Sequence, residues 1–310
     1  MTAGYNHKRY TVKRIGPDNI SDMDKLYSVV YGHTTDPGYF PEKFLTDYTG
    51  IEYTGLITYN EEAKPVASLC LVPCYILYEG KSILSAQLTD GMTDPSERRN
   101  GLFERLTNEI ITLAKEKGIQ LLIGFPNQTT APLLIKMGWI QAGSMDRFVI
   151  PVYNPVRLLM IKLMNRIKKP KQKKIPADIV FTGCNNSVLK DGFAGIDREG
   201  EYLLYKTFTD TRIQREGNAK AWIKIGHDLA IGDMEVTKDE FMDMINALRV
   251  LAKKAGTPHM FFQSSPGTSL YTLFSQHYKP IPSFPVVFKN LGPDLSLEKI
   301  KFTFADIDIF

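Results

Sequence analysis

"TDPSERRNGLFERLTNEI", Thr93 to Ile110, decides how this chain is read. A proline and an acid lead into Arg98-Arg99, then Asn100-Gly101, then an apolar-periodic run. Leu102, Phe103, Leu106, Ile110, Leu113 and Ala114 recur at helical spacing, which predicts a helix over 102–117 stopped by Gly118. The arginines are the unusual part. Positive charge at a helix N-terminus opposes the macrodipole unless something negative binds there. Free N–H groups, guanidinium charge and a glycine that lets the backbone approach a ligand make an anion site suited to a pyrophosphate.

Working upstream, "EYTGLITYN", "PVASLCLVPCYILYEG" and "KSILSAQLTDGMT" read as three strands. The separators "EEAK" and "YEGK" are short enough for hairpins, so the strands are expected to be antiparallel neighbours. A first strand covers 10–15, a helix opens at Pro17-Asp18-Asn19 and runs to about Tyr31, and a short helix covers 41–48. Downstream, "IQLLIGF" is a continuous apolar strand of the fully buried kind, and "PNQTTAPLLIKMGW" is a turn and a short helix. "WIQAGSMDRFVIPV" supplies the last strands of this half.

The second half repeats the outline. "NAKAWIKIG" and "HDLAIGDME" read as strands, 238–255 as a helix ended by Gly256, "HMFFQSS" as a buried strand, and "PGTSLYTLFSQHYKP" as a short helix. The turn that matches Arg98–Phe103 reads "EVTKDEF", with acids in place of the arginines and glycine. Acids are what an unoccupied helix N-terminus prefers, so one helix start is written for an anion and the other is not.

The chain has 310 residues, enough for one large core or two ordinary ones. Its apolar and charged fractions are those of a globular protein, with a net charge of +4. No apolar run is long enough for a membrane span, so stable insertion is not expected, and the N-terminus lacks the apolar core of a signal peptide. Three cysteines, Cys70, Cys74 and Cys184, cannot make a disulfide framework, which points to the cytoplasm. No His/Cys/Asp spacing points to a metal. Nothing points to nucleic acid. Asn154–Lys174 reads as an amphipathic helix running into a lysine cluster.

"RRNGLF", Arg98–Phe103, resembles the R/Q-x-x-G-x-G/A signature of the GNAT acyltransferase superfamily, and "LIGFPNQTTAPLLIKMGW" is similar to the later strand and helix of a GNAT subgroup. The resemblance covers roughly 10–152. It implies an α/β fold, an α+β mixed and largely antiparallel sheet flanked by helices, here in tandem. The expected units are 1–153 with an acyl-CoA site, a basic linker at 154–180, and 181–310 without the signature. It also implies coenzyme A, as acyl-CoA, held by Thr93, Arg98, Arg99, Asn100, Gly101, Leu102, Phe103 and Asn127. Phe103 departs from the signature's final small residue. The place where many members carry a tyrosine acid falls at about Leu134, which cannot donate a proton.

The tandem arrangement resembles N-acyltransferases of nucleotide-linked amino sugars, dTDP-3-amino-3,6-dideoxyhexoses of surface-polysaccharide pathways. Asp90 and Asn127 are the catalytic candidates. On strand alternation, Leu88, Asp90 and Met92 share one face and pack on the core, so Asp90 either ties down the strand end or takes a proton with a raised pKa. Glu97 reads as a solvated acid at the helix start. Tyr31, His33 and Gln87 are candidates for the acceptor. Other acceptors in view are a protein, polyamine or antibiotic amine, and a different class is a non-catalytic acyl-CoA binding module.

Overall fold

A computed structural model describes residues 10–153 and 184–310. The amphipathic run 154–174 and the linker 154–180 lie outside the described residues.

The first half opens with β1 (Thr11–Arg14) and α1 (Asp22–Tyr31), then α2 (Tyr39–Lys43). The helix expected over 41–48 is instead α2 followed by a separate 3-10 turn, Asp47–Thr49. Phe40 and Phe44 set the buried face, but the Thr46 hydroxyl donates to Ile51 O at 2.5 Å and draws the chain out of helix. β2 (Gly55–Tyr59), β3 (Pro65–Tyr78) and β4 (Lys81–Thr93) are antiparallel neighbours, as their short connections require. Glu79 and Gly80 both have positive φ, the geometry of a two-residue hairpin turn. α3 (Leu102–Glu116) buries Leu102, Leu106, Ile110 and Leu113 on one face. β5 (Leu121–Gly124) is buried at every residue and parallel to β4. α4 (Ala131–Lys136) leads into one long strand, β6 (Ile140–Pro151), where shorter strands were expected.

The second half holds α5 (Ser187–Lys190), the short β7 (Gly195–Ile196), α6 (Glu201–Tyr205), β8 (Thr211–Glu216), β9 (Ala219–Ile225), β10 (Leu229–Glu235), α7 (Phe241–Ala255), β11 (His259–Ser264), α8 (Ser269–Ser275) and β12 (Pro280–Asn290).

Among the described residues these strands form one mixed sheet, in the order β1-β2-β3-β4-β5-β12-β6-β11-β10-β9-β8, with β7 added to β3. The order mirrors itself about the β12/β6 pair. On each side antiparallel strands lead to a parallel pair, β4/β5 or β10/β11. The closing strands are exchanged: β12 pairs with β5, and β6 pairs with β11.

α3 and α7 each cover an apolar cluster of their own half. α1 and α2 cover a third cluster, built around Met23, Phe40, Phe44, Cys70 and Met92. A fourth spans both halves and takes in Ile123, Met145, Trp222, Phe288, Phe302 and Phe310. This last cluster fixes where residues 302–310 lie, and so what reaches the site.

Candidate active site

The candidate anion cradle is a backbone feature. Asp94 caps the turn Pro95–Glu97, accepting from Ser96 N at 2.8 Å. The chain then passes through extended Arg98, left-handed Arg99 (φ +69°) and left-handed Gly101 (φ +74°), which is the N-cap of α3 and offers no side-chain hydrogen bond. Left-handed residues alternating with ordinary ones curl N–H groups round an anion. The first N–H groups of α3 have no partner within the helix and add to the positive end. A Cβ on Gly101 would meet nothing within 4 Å, so the glycine is needed for its φ rather than for space. Arg98 and Arg99 are exposed and, with Thr93, Gly101, Leu102, Phe103 and Lys136, line a groove of about 690 Å³.

Two side chains of this stretch do other work than expected. Glu97 is buried, not solvated. Its Oε2 accepts from Tyr10 Oη at 2.7 Å and from Asn100 Nδ2 at 3.0 Å. The Asn100 amide also donates to Tyr10 Oη at 2.8 Å, so Asn100 shapes the loop with its side chain and can offer a phosphate only its backbone. Burial and the Glu97 carboxylate push the Tyr10 phenol up to about 12.

The candidate cleft begins where β4 and β5 part. They pair over Ser85–Leu88 and Leu121–Gly124, after which β5 ends and β4 runs on to Thr93. The gap, about 260 Å³, is lined by Leu88, Thr89, Asp90, Gly91, Phe103, Phe125, Asn127, Leu134, Phe284 and Asp308. Phe103 borders both this cleft and the cradle groove.

Strand alternation does not hold here. The register of β4 against β3 shifts between Ser68 and Cys70, and Asp90 is left-handed at φ +48°, a conformation Asp tolerates better than most residues. The extra residue sends Leu88 to the α3 cluster and Met92 to the α1/α2 cluster, so they do not share a face.

Thr89 and Asp90 both reach a side chain with no exposed surface, Lys43 of α2. Lys43 Nζ lies 2.7 Å from Asp90 Oδ2, 2.7 Å from Asp308 Oδ2 and 3.1 Å from Thr89 Oγ1. Burial, aided by the Asp308 charge, raises the Asp90 pKa against the pull of Lys43. Burial also opposes the charge on Asp308, yet Lys43 and Thr89 hold its carboxyl below the ordinary range.

Gln87 is not an acceptor contact. Its Nε2 donates to Asp306 O at 2.6 Å and its Oε1 accepts from Asp308 N at 3.0 Å, so the amide is spent at both ends on holding residues 306–308. Asn127 stands exposed at the cleft rim. Its Oδ1 accepts from Thr129 N and Thr130 N at 3.0 and 2.9 Å, starting α4, which leaves its NH₂ group to offer. Tyr31 lines the cleft and is 53% exposed, with its ring 4.6 Å from that of Tyr27. His33 packs edge-on to Tyr27 at 5.3 Å and stands outside the cleft lining. Leu134 lines the cleft and is buried; Tyr31, Thr89 and Thr130 are the hydroxyl side chains there. Cys70, Cys74 and Cys184 are buried free thiols, each pushed up by burial, and none lines the cleft.

In the turn that leads into the matching helix of the second half, Thr237 and Glu240 bind each other. Glu240 Oε2 accepts from Thr237 N at 3.0 Å and from its Oγ1 at 2.6 Å. Glu240 N donates back to Thr237 Oγ1 at 3.4 Å.

Residues 11–142 match the family described as Acetyltransferase (GNAT) domain. No curated protein matches. The fold is shared with Saccharomyces cerevisiae N-myristoyltransferase, solved with bound myristoyl-CoA, at a TM-score of 0.61 and 12% identity over 91% of this chain and 79% of that one. It is shared with a GCN5-related N-acetyltransferase from Kribbella flavida, at 0.58 and 11% over 92% and 71%. A GCN5-related N-acetyltransferase from Anabaena variabilis gives 0.54 and 12% over 92% and 73%. Among the described residues no helix is long and apolar enough to cross a membrane. An uncapped, arginine-flanked helix start stands beside a carboxylate-lined gap in the sheet, within residues 11–142 that match the GNAT acetyltransferase domain, and that match supports an acyl-CoA-dependent N-acyltransferase.

Proposed function

We propose that the chain transfers an acyl group from acyl-CoA directly to the primary amine of a nucleotide-linked amino sugar of the dTDP-amino-dideoxyhexose type. The observation that carries direct transfer is the shared wall, Phe103, between the cradle groove and the carboxylate cleft. A pyrophosphate held by Arg98, Arg99 and the backbone of 100–103 sends the pantetheine arm along β4, in the gap that β5 leaves. Thr93 lies on that path. The amine enters past Tyr31 as an ammonium and sheds one proton. Its nitrogen then attacks the thioester carbon, forming the C–N bond and an oxyanion. Asp90 takes the second proton, the C–S bond breaks, and the CoA thiolate leaves and is protonated. The products are the amide and CoA. N–H groups of β4 and the Asn127 amide are the candidates to steady the oxyanion.

The sugar reading is supported by the sequence resemblance and by exposed Tyr31, a ring that can stack on a sugar or base, with Tyr27 and His33 behind it. The tandem reading, 1–153 and 181–310 joined by 154–180, is part of the same proposal and is supported by the mirrored strand order. A second reading, a polyamine or other cationic amine, is favoured by two carboxylates facing a single lysine. Thiol release from acetyl-CoA separates these. Turnover with dTDP-amino sugars well above polyamines and peptide amines is expected. Better turnover of a polyamine would replace the sugar, and binding of acyl-CoA with no turnover of any amine would leave an acyl-CoA binding module.

A further inference from the structure

Asp308 reaches the cleft from a segment far from β4 in sequence, and that segment is fastened residue by residue. The Arg198 guanidinium grips the Asp306 carboxylate with two bonds of 2.8 Å. Gln87 holds Asp306 O and Asp308 N. Lys206 Nζ donates to Ile307 O at 2.9 Å, and Lys224 Nζ to Ile309 O at 2.7 Å. These side chains come from both halves of the chain and converge on four consecutive residues. Packing needs no such grip; orientation of one carboxylate does.

We propose that Asp308 is a positioning residue for acyl transfer: bound to Lys43 and Thr89, it completes a cluster in which two carboxylates share one buried ammonium, and so keeps Asp90 ready to accept the proton of the acceptor amine. A purely structural ion pair needs one carboxylate for one lysine. A second buried anion is costly unless a proton or an incoming cation joins it; Lys206 also faces Asp308, but burial pushes its pKa down to about 7, so above that pH it supplies no standing charge.

The groups facing Asp90 from each neighbouring element are Lys43 and Tyr39 of α2, Tyr27 and Tyr31 of α1, Cys70 of β3 and Thr89 of its own strand. The phenols and the thiol stay neutral because burial raises their pKa values. Asp308, from the segment 306–309, adds the negative charge that this set lacks, and its removal leaves Asp90 with Lys43 as its charged neighbour.

The inference rests on the acyl-transfer reading and is tested by the pH profile of kcat/KM. Asp308→Asn is expected to move the acid limb down by about one pH unit and lower kcat about tenfold. Lys43→Met is expected to move the limb up. Asp308→Glu, which keeps the charge, is expected to restore part of the rate. An acid limb unmoved in Asp308→Asn, with only the melting temperature lowered, would overturn the proposal and leave Asp308 a structural anchor. If the wild-type protein turns over no amine, the acyl-transfer reading fails on its own. A carboxyl ¹³C titration of Asp90 then still decides the coupling, since its midpoint must fall in Asp308→Asn.

Discussion

The two parallel strand pairs, β4/β5 and β10/β11, occupy mirrored places in one sheet and have opposite contents. The first parts to leave a cleft. The second is filled by residues 302–310. A Cβ on Gly232 of β10 would lie 2.2 Å from Phe310 Cζ, so this glycine exists to admit that ring. Phe310 meets Trp222 edge-on at 5.3 Å. Arg198 locks the filling in place between Asp233 at 2.6 Å and Asp306. The helix starts differ in the same sense: α3 begins at bare Gly101, whereas α7 begins with Thr237 and Glu240 satisfying each other. The same architecture holds a site or a plug according to what enters the strand gap and whether the helix caps itself.

Removing the lock should have the largest effect. Arg198→Ala leaves Asp233 and Asp306 buried without their cation, and a loss of about 3–5 kcal/mol is expected in urea unfolding. A loss under about 1 kcal/mol would mean that apolar packing alone holds the plug.

Lys206, which braces the same segment, comes next. Burial pushes its pKa down to about 7 from 10.5. Between those values the unfolded chain binds the extra proton, so stability rises with pH. The window closes at roughly pH 8.5, where thiols freed by unfolding begin to ionise and reverse the slope. Unfolding free energies measured between pH 7 and that limit should climb by at most about 1.4 kcal/mol per pH unit. Lys206→Met should flatten the climb, and an equal climb in that variant would remove Lys206 as its source.

Arg98→Glu should weaken acyl-CoA binding about tenfold in calorimetry, with the melting temperature unchanged. Unaltered affinity would show that the cradle lies elsewhere. The smallest change is Thr237→Ala, expected to cost about 1 kcal/mol through loss of the cap. It should leave acyl-CoA affinity untouched, because that helix start is built without a ligand.

The sequence carried what short-range rules decide. The hairpin strands, α3 with its Gly118 stop, the buried β5, α7 with Gly256 and the contrast between the two helix starts were all legible. The candidate site was less so, because its partners are distant: Thr89 bonds to Lys43 and Asp308 across 46 and 219 positions. Lys43 lies in "PEKF", which reads as an ordinary helix surface, and nothing local shows that it is fully buried. "FADIDIF" at 304–310 does carry a trace, acids and apolar residues in alternation, as expected of a segment packed on one side and paired on the other. The bulge at Asp90 escaped because a single extra residue turns Met92 to the opposite face without changing composition. Glu97 and Gln87 were misread for a related reason: each looks like surface until its distant partner is in place.

The exchanged strands give the molecule a schedule. β5 ends at residue 124, but the strand that pairs with its free side is not finished until residue 290. At ~5–20 residues per second of synthesis, roughly ten to thirty seconds separate the two. Throughout that interval the nascent first half shows a row of unsatisfied hydrogen-bonding groups beside its candidate site. Chains stalled before residue 280 should therefore be the ones that aggregate or recruit chaperones, and a ribosome-arrest series would time the moment at which the edge disappears.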